Sequence, residues 1–151
     1  MGSFTPKPFR PALAEYAVNA ASADPKFWPL SWAELPDTRC RVVIVRGLEA
    51  AQDTRDWAAN LHGLVISFKD SAGRRYQGAL FPETVKKARW TKAQALEALF
   101  QRAGYWGKTG GGLGMDPAVV RSLSVSRFQT TAMRMSFGKF RRLKRHLRMA
   151  A

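Results

Sequence analysis

Two histidines, His62 and His146, and one cysteine, Cys40, are the side chains best suited to proton transfer or nucleophilic attack in this 151-residue chain. His62 is followed by Gly63, which lets a backbone or a ligand come close, so ligand contact stands beside a structural role for this ring. With Glu83 it forms the one acid/base pair worth carrying forward, because two such groups can serve once their surroundings separate their pKa values. No spacing joins either histidine to further ligands, so no metal site is expected and no cofactor is assigned. Cys40 sits at the start of an apolar run and reads as a small core residue, not a nucleophile. Gly107-Lys108-Thr109 has the ending of a phosphate-binding loop, but Arg102 stands where the loop's first glycine belongs, and a helical pattern precedes it. The run Gly110 to Gly114 lacks a strand-turn-helix setting, and no serine sits in a nucleophile elbow.

The elements that must position these groups are legible from period and punctuation. Leu13, Tyr16, Ala17, Ala20 and Ala21 line one face of a helix that opens near Pro11 and stops at Asp24-Pro25. Ser31 and Glu34 form a capping box for a turn that Pro36 closes. Arg39 to Leu48, with Val42 to Val45, predicts a largely buried strand. Alternation over 64–69, turn chemistry at Asp70-Ser71-Ala72-Gly73 and a second strand-like run to Phe81 predict a hairpin. Thr91 and Gln94 cap a second helix with an apolar stripe of Leu96, Leu99, Phe100 and Ala103, ended by Gly104. A glycine-rich loop follows at 107–114, then a strand over Val119 to Phe128 and a short helix capped by Ser136, with Phe140, Leu143 and Leu147 on one face. The aromatics Phe27, Trp28, Trp32, Trp57 and Trp90 lie near element ends, where plugging the core is the plainer reading than roofing a cleft.

Composition narrows the classes. A chain that is 46% hydrophobic without an apolar run of ~18 residues fits one folded domain and no membrane span. The absence of a secretory pattern and of paired cysteines points to a cytoplasmic or nuclear setting. The net charge of +14 raises nucleic acid or an acidic membrane as a partner, but much of the excess lies in the last residues. Lys139, Arg141, Arg142, Lys144, Arg145 and Arg148 are the candidates for binding nucleic acid.

The ordered set Glu15-Tyr16-Ala17, Asp24-Pro25-Lys26-Phe27, Asp56-Trp57, His62-Gly63, Pro82-Glu83, Trp90, Ala103-Gly104-Tyr105 and Arg127-Phe128 resembles the AMMECR-one domain family from about Gly2 to about Leu143. The resemblance implies an α+β fold, an antiparallel sheet with packed helices in two lobes enclosing a groove, with residues 1–143 as the domain and 144–151 as a basic tail. On that reading the groove is bordered by Asp24, Phe27, Trp57, His62, Glu83 and Arg127. The family's hallmark, Leu-Arg-Gly-Cys-Ile-Gly, should stand just before Gly2-Ser3-Phe4, where this chain has Met1, so an N-terminal truncation is expected. Such a loss would leave a neighbouring strand with an unpaired edge.

No firm activity follows from the resemblance. It implies a small-ligand-binding or adaptor protein, with protein partners or a small molecule as its ligand and no membrane. An enzyme, or an enzyme subunit of a modification or redox pathway linked to Memo-type and radical S-adenosylmethionine proteins, is the alternative, and RNA or ribonucleoprotein association through the basic tail is the third. Whether the chain is an enzyme stays open at this point.

Overall fold

The computed structural model describes residues 2–5, 7–107 and 116–149. The elements run α1 (Phe9–Ser22), a 3-10 helix (Trp32–Asp37), β1 (Arg39–Ala50), β2 (Gly63–Lys69), β3 (Arg75–Leu80), α2 (Pro82–Ala88), α3 (Lys92–Arg102), α4 (Pro117–Ser122), β4 (Ser124–Ser136) and α5 (Phe137–Met149). The fold is α+β, with helices and an open four-stranded antiparallel sheet in the order β1-β4-β2-β3. The chain divides into two compact units, one of residues 1–42 and 132–151, the other of residues 43–131.

The core belongs to the second unit and is organised by β2. Leu64, Ile66 and Phe68 alternate onto one face and are buried, as period-2 geometry requires. β3 pairs with β2 from Leu64 opposite Leu80 to Lys69 opposite Arg75, and β4 pairs on the other side from Gly63 opposite Phe128 to Ser67 opposite Ser124. The expected hairpin is therefore present, turning through Gly73 at φ +76°, a conformation that costs glycine little. Helix α3 covers this face with Ala95, Leu99 and Phe100, and starts at the expected cap: Thr91 Oγ1 accepts from Gln94 N–H, while Gln94 Oε1 accepts from Thr91 N–H at 2.9 Å. It comes so near β3 that a Cβ on Gly78 would lie 3.0 Å from the Leu99 carbonyl oxygen.

Several expectations change. Residues 117–122 form α4, not the start of a strand, because Asp116 Oδ1 accepts from Ala118 N–H at 2.8 Å and Pro117 supplies a preset first helical position. β1 is not largely buried: it lies at the sheet edge, with Ile44 and Leu48 exposed and Cys40 exposed rather than in a core. An edge strand has a neighbour on one side only, and its apolar run finds less cover. The 3-10 helix carries the expected Ser31–Glu34 capping box but runs through Pro36 to Asp37.

In the first unit α1 forms as its period indicates, beginning earlier at Phe9, yet none of its residues is buried. Of the aromatics expected to plug a core, Trp57 is buried and Trp90 packs partly against the core, whereas Phe27, Trp28 and Trp32 are exposed. The turn that carries Trp28 is held locally, by Leu30 N–H donating to the Ala21 carbonyl at 2.7 Å, so no burial is needed to fix it. The glycine-rich loop falls mostly on residues 108–115, outside the described residues, as do Lys108 and Thr109 of the Gly-Lys-Thr triplet.

Gly63 is where β2, β3 and β4 meet most tightly: an added Cβ would stand 2.4 Å from the Phe128 ring and 2.7 Å from the Leu80 carbonyl oxygen. Gly63→Ala should therefore destabilise the chain by about 1–3 kcal/mol or more through overpacking, read as a lowered midpoint in denaturant unfolding. An unchanged midpoint would show that Phe128 moves aside without cost.

Candidate functional site

The segment between β1 and β2 carries the largest concentration of interacting polar groups near His62. It is folded by its own short side chains. Asp53 Oδ1 accepts from Arg55 N–H at 2.6 Å and Asp56 N–H at 2.9 Å, the side-chain-to-backbone pattern that lets aspartate replace regular structure in a turn. Trp57, only 4% exposed, anchors the segment in the core and donates from its indole nitrogen to the Thr54 carbonyl at 2.9 Å. Lys92, at the start of α3, donates to the Arg55 carbonyl at 2.9 Å, with its ammonium 5.8 Å from the Trp57 ring centroid.

Arg127 locks this segment to the sheet. It lies opposite Leu64 in the β4–β2 register. Its Nε donates to Glu49 Oε1 at 2.8 Å, and its Nη1 donates to both the carbonyl oxygen and Oδ1 of Asp56. Three elements are thus joined through one guanidinium, whose planar fork suits two carboxylates at once. Gln52 N–H donates to the other Asp56 oxygen at 3.0 Å. The Asp56 carboxyl is held below the usual carboxylate range, first by the Gln52 N–H, against the opposing effect of burial, then by Arg127.

His62 itself is fixed by backbone: its Nδ1 accepts from Ala58 N–H at 3.0 Å, and its own N–H donates to the Ala58 carbonyl at 2.8 Å. Glu83 lies in the first turn of α2 and, like His62, is half-buried in the second unit. Asp24 and Phe27 belong to the first unit. Asp24 Oδ1 accepts from Lys26 N–H at 2.9 Å in the turn that follows α1, so its carboxylate has a structural partner, and Phe27 is exposed. Among the expected groove residues, then, the structure gathers Arg127 and His62 around Asp56, and Trp57 is a core residue. Glu49 was not anticipated, and neither was the use of Asp56. A carboxylate 78 positions from its arginine leaves no local spacing signal.

A second polar network, also unanticipated, closes the β2–β3 turn. Asp70 is buried, accepting from Arg74 N–H at 2.9 Å, Arg74 Nε at 2.7 Å and the Tyr76 hydroxyl at 3.0 Å. Burial alone would raise its carboxyl, but these three donors hold it below its ordinary value. The sequence showed Asp70 only as a turn residue, although Arg74 at i+4 was a usable hint. An open depression of about 540 Å³ lies here, lined by Lys69, Asp70, Ser71, Asp116 and Arg121 among others. None of the expected groove residues lines it, and Asp70 and Asp116 are both occupied by hydrogen bonds to the protein itself.

The sheet order and helix placement define an α+β domain, and comparison gives that class a solved counterpart: an uncharacterized protein of Pyrococcus horikoshii, TM-score 0.63 at 19% identity, covering 82% of this chain and 57% of that one. That likeness concerns the fold alone. The AMMECR1 family profile matches residues 1–133, and the chain belongs to this family. Its relatives include an uncharacterized protein of Arabidopsis thaliana, 31% identical over 127 residues, covering 83% of this chain and 56% of the relative. Another, from Schizosaccharomyces pombe, is 32% identical over 107 residues, covering 71% of this chain and 55% of the relative. The chain thus spans little more than half the length of these relatives.

Asp56, Asp70 and Asp116 are all held low, so each contributes stability that is present above the unfolded carboxylate value of roughly 3.9 and is lost as pH falls through the depressed folded value. Acid unfolding should accordingly steepen below about pH 4. Asp70→Asn should lower the thermal midpoint at neutral pH and flatten that acid limb. Arg127→Met should raise the Asp56 carboxyl toward its ordinary value, measured by carbon-detected NMR titration; an unmoved Asp56 would mean that the Gln52 N–H alone holds it.

Proposed function

We propose that this AMMECR1 domain is a ligand-binding or adaptor domain, with His62 as the group that recognises a small molecule by donating to it. The observation that carries the reading is the Ala58 N–H donated to His62 Nδ1. A neutral imidazole has one acceptor and one donor nitrogen, and backbone already occupies the acceptor. Nε2 therefore carries the hydrogen. Such a ring has no free lone pair at Nε2 to act as a base. It can hold a carbonyl, carboxylate or phosphate oxygen.

The surrounding charges support recognition as well. Arg127 is engaged by Glu49 and Asp56, an arrangement that stiffens the segment holding His62, and preorganised recognition groups bind with less ordering cost. An acid/base role for the His62 and Glu83 pair would need the imidazole to leave Ala58 first. A single cysteine suits a reducing compartment, which supports a cytoplasmic or nuclear setting for this activity.

Native mass spectrometry of the gently purified chain tests the proposal: a small molecule should be retained and should be lost from His62→Ala, with thermal stability close to the parent's. Proton-nitrogen correlation spectra should show the Nε2–H tautomer of His62 at neutral pH. A retained molecule indifferent to the substitution, or an Nδ1–H tautomer, would overturn the binding role for His62.

A further inference from the structure

Helix α5 lies beyond the residues that match the family, and it combines two features that the domain's core does not require. Lys139, Arg141, Arg142, Lys144, Arg145 and Arg148 place six cations in 13 residues with no acidic residue among them. Phe140, Leu143 and Leu147 recur at i, i+3 and i+7, one face of a helix, and remain 47%, 44% and 72% exposed. At the start of the helix Phe137 N–H donates to the Thr38 carbonyl at 3.0 Å and Ser136 Oγ accepts from Lys139 N–H at 3.3 Å, and the 3-10 helix that opens with Trp32 packs against α5. Trp32 is 88% exposed.

We infer that α5 is a surface-seeking amphipathic helix that lies on an anionic lipid membrane, with the Phe140–Leu143–Leu147 stripe in the acyl boundary and its cations at the headgroups. An absence of membrane partners was expected because no stretch is apolar enough to span, and among the described residues no helix is long and apolar enough to cross a membrane. A helix lying in the interface needs no span: a short apolar stripe and a polybasic face suffice, each adding to the other.

Other occupants fit less well. A second copy of a chain of charge +14 would bring like charges together. RNA would satisfy the cations and could stack on Phe140, but it would leave the leucines in water, because bases stack on aromatic and guanidinium planes and not on aliphatic chains. The six cations, with no acidic residue between them, complement a surface of many negative headgroups, and the apolar stripe beside them can enter the acyl boundary below those headgroups. Trp32, exposed on the 3-10 helix that packs against α5, is of the residue type that settles at headgroup depth.

Cosedimentation of the full chain with vesicles tests this. Vesicles of phosphatidylcholine with phosphatidylserine should carry the chain down, and phosphatidylcholine alone should not. The bound fraction should fall as salt rises, since headgroup attraction is screened. Leu143→Ser with Leu147→Ser, and separately Arg141→Gln, Arg142→Gln and Arg145→Gln together, should each weaken vesicle binding about tenfold or more. These side chains are outside the core, so thermal unfolding of all variants should match the parent; the salt series on the unaltered chain is independent of them. Vesicle binding that survives the loss of both leucines, or that ignores salt, would overturn the proposal. So would the absence of vesicle binding, and single-stranded RNA binding that persists unchanged in the leucine variant would then assign α5 to nucleic acid instead.

Discussion

Strand β2 is paired along both edges while its Leu64, Ile66 and Phe68 face a single covered side, and the second unit is built from that double constraint. A strand bonded on both sides cannot slip by one residue without turning all three side chains out of the core and breaking both ladders. Three fully buried apolar side chains are worth roughly 1.5–3 kcal/mol each, so the register is strongly specified. The positions of Phe128 on β4 and Leu80 on β3 follow from it, and with them the close approach at Gly63.

That register also decides where charge can be used. Arg127 pairs with Leu64, so whatever fixes β2 places the guanidinium beside the segment that leads into β2. Asp56 and Glu49 then converge on it from separate elements, and His62 stands beside Asp56 at the entrance to the strand. The site is thus a consequence of strand pairing with polar groups added at its margin. The Ala58 hydrogen bond to His62 adds a chemical consequence, because a ring whose acceptor nitrogen is occupied offers a donor to whatever approaches Nε2.

The two units differ in what stabilises them. The buried core residues, Trp57 through Phe128, all belong to the second unit. In the first unit the local devices are well formed: a capping box at Ser31–Glu34, an aspartate turn at Asp24, an ion pair between Lys7 and Glu15 at 3.8 Å, and the Lys7 ammonium over the Tyr16 ring at 5.2 Å. Exposed pairs of this kind contribute little to stability. Phe27, Trp28 and Trp32 accordingly remain apolar surface rather than core.

Local chemistry was legible in the residues themselves. Thr91 with Gln94, Ser31 with Glu34, the Asp70–Gly73 turn and the apolar stripe of α3 all appear where period and capping place them, because each depends on neighbours within a few positions. Resemblance of the ordered segments led correctly to the family and to an α+β fold. Tertiary structure alone decided the rest. Whether β1 is buried depends on its place at the sheet edge, which its β-branched run does not encode. Trp57 enters the core while Trp28 stays exposed, although both lie near element ends. The partnership of Arg127 with Glu49 and Asp56 spans more than 70 positions, and an ion pair carries no periodicity by which sequence could announce it.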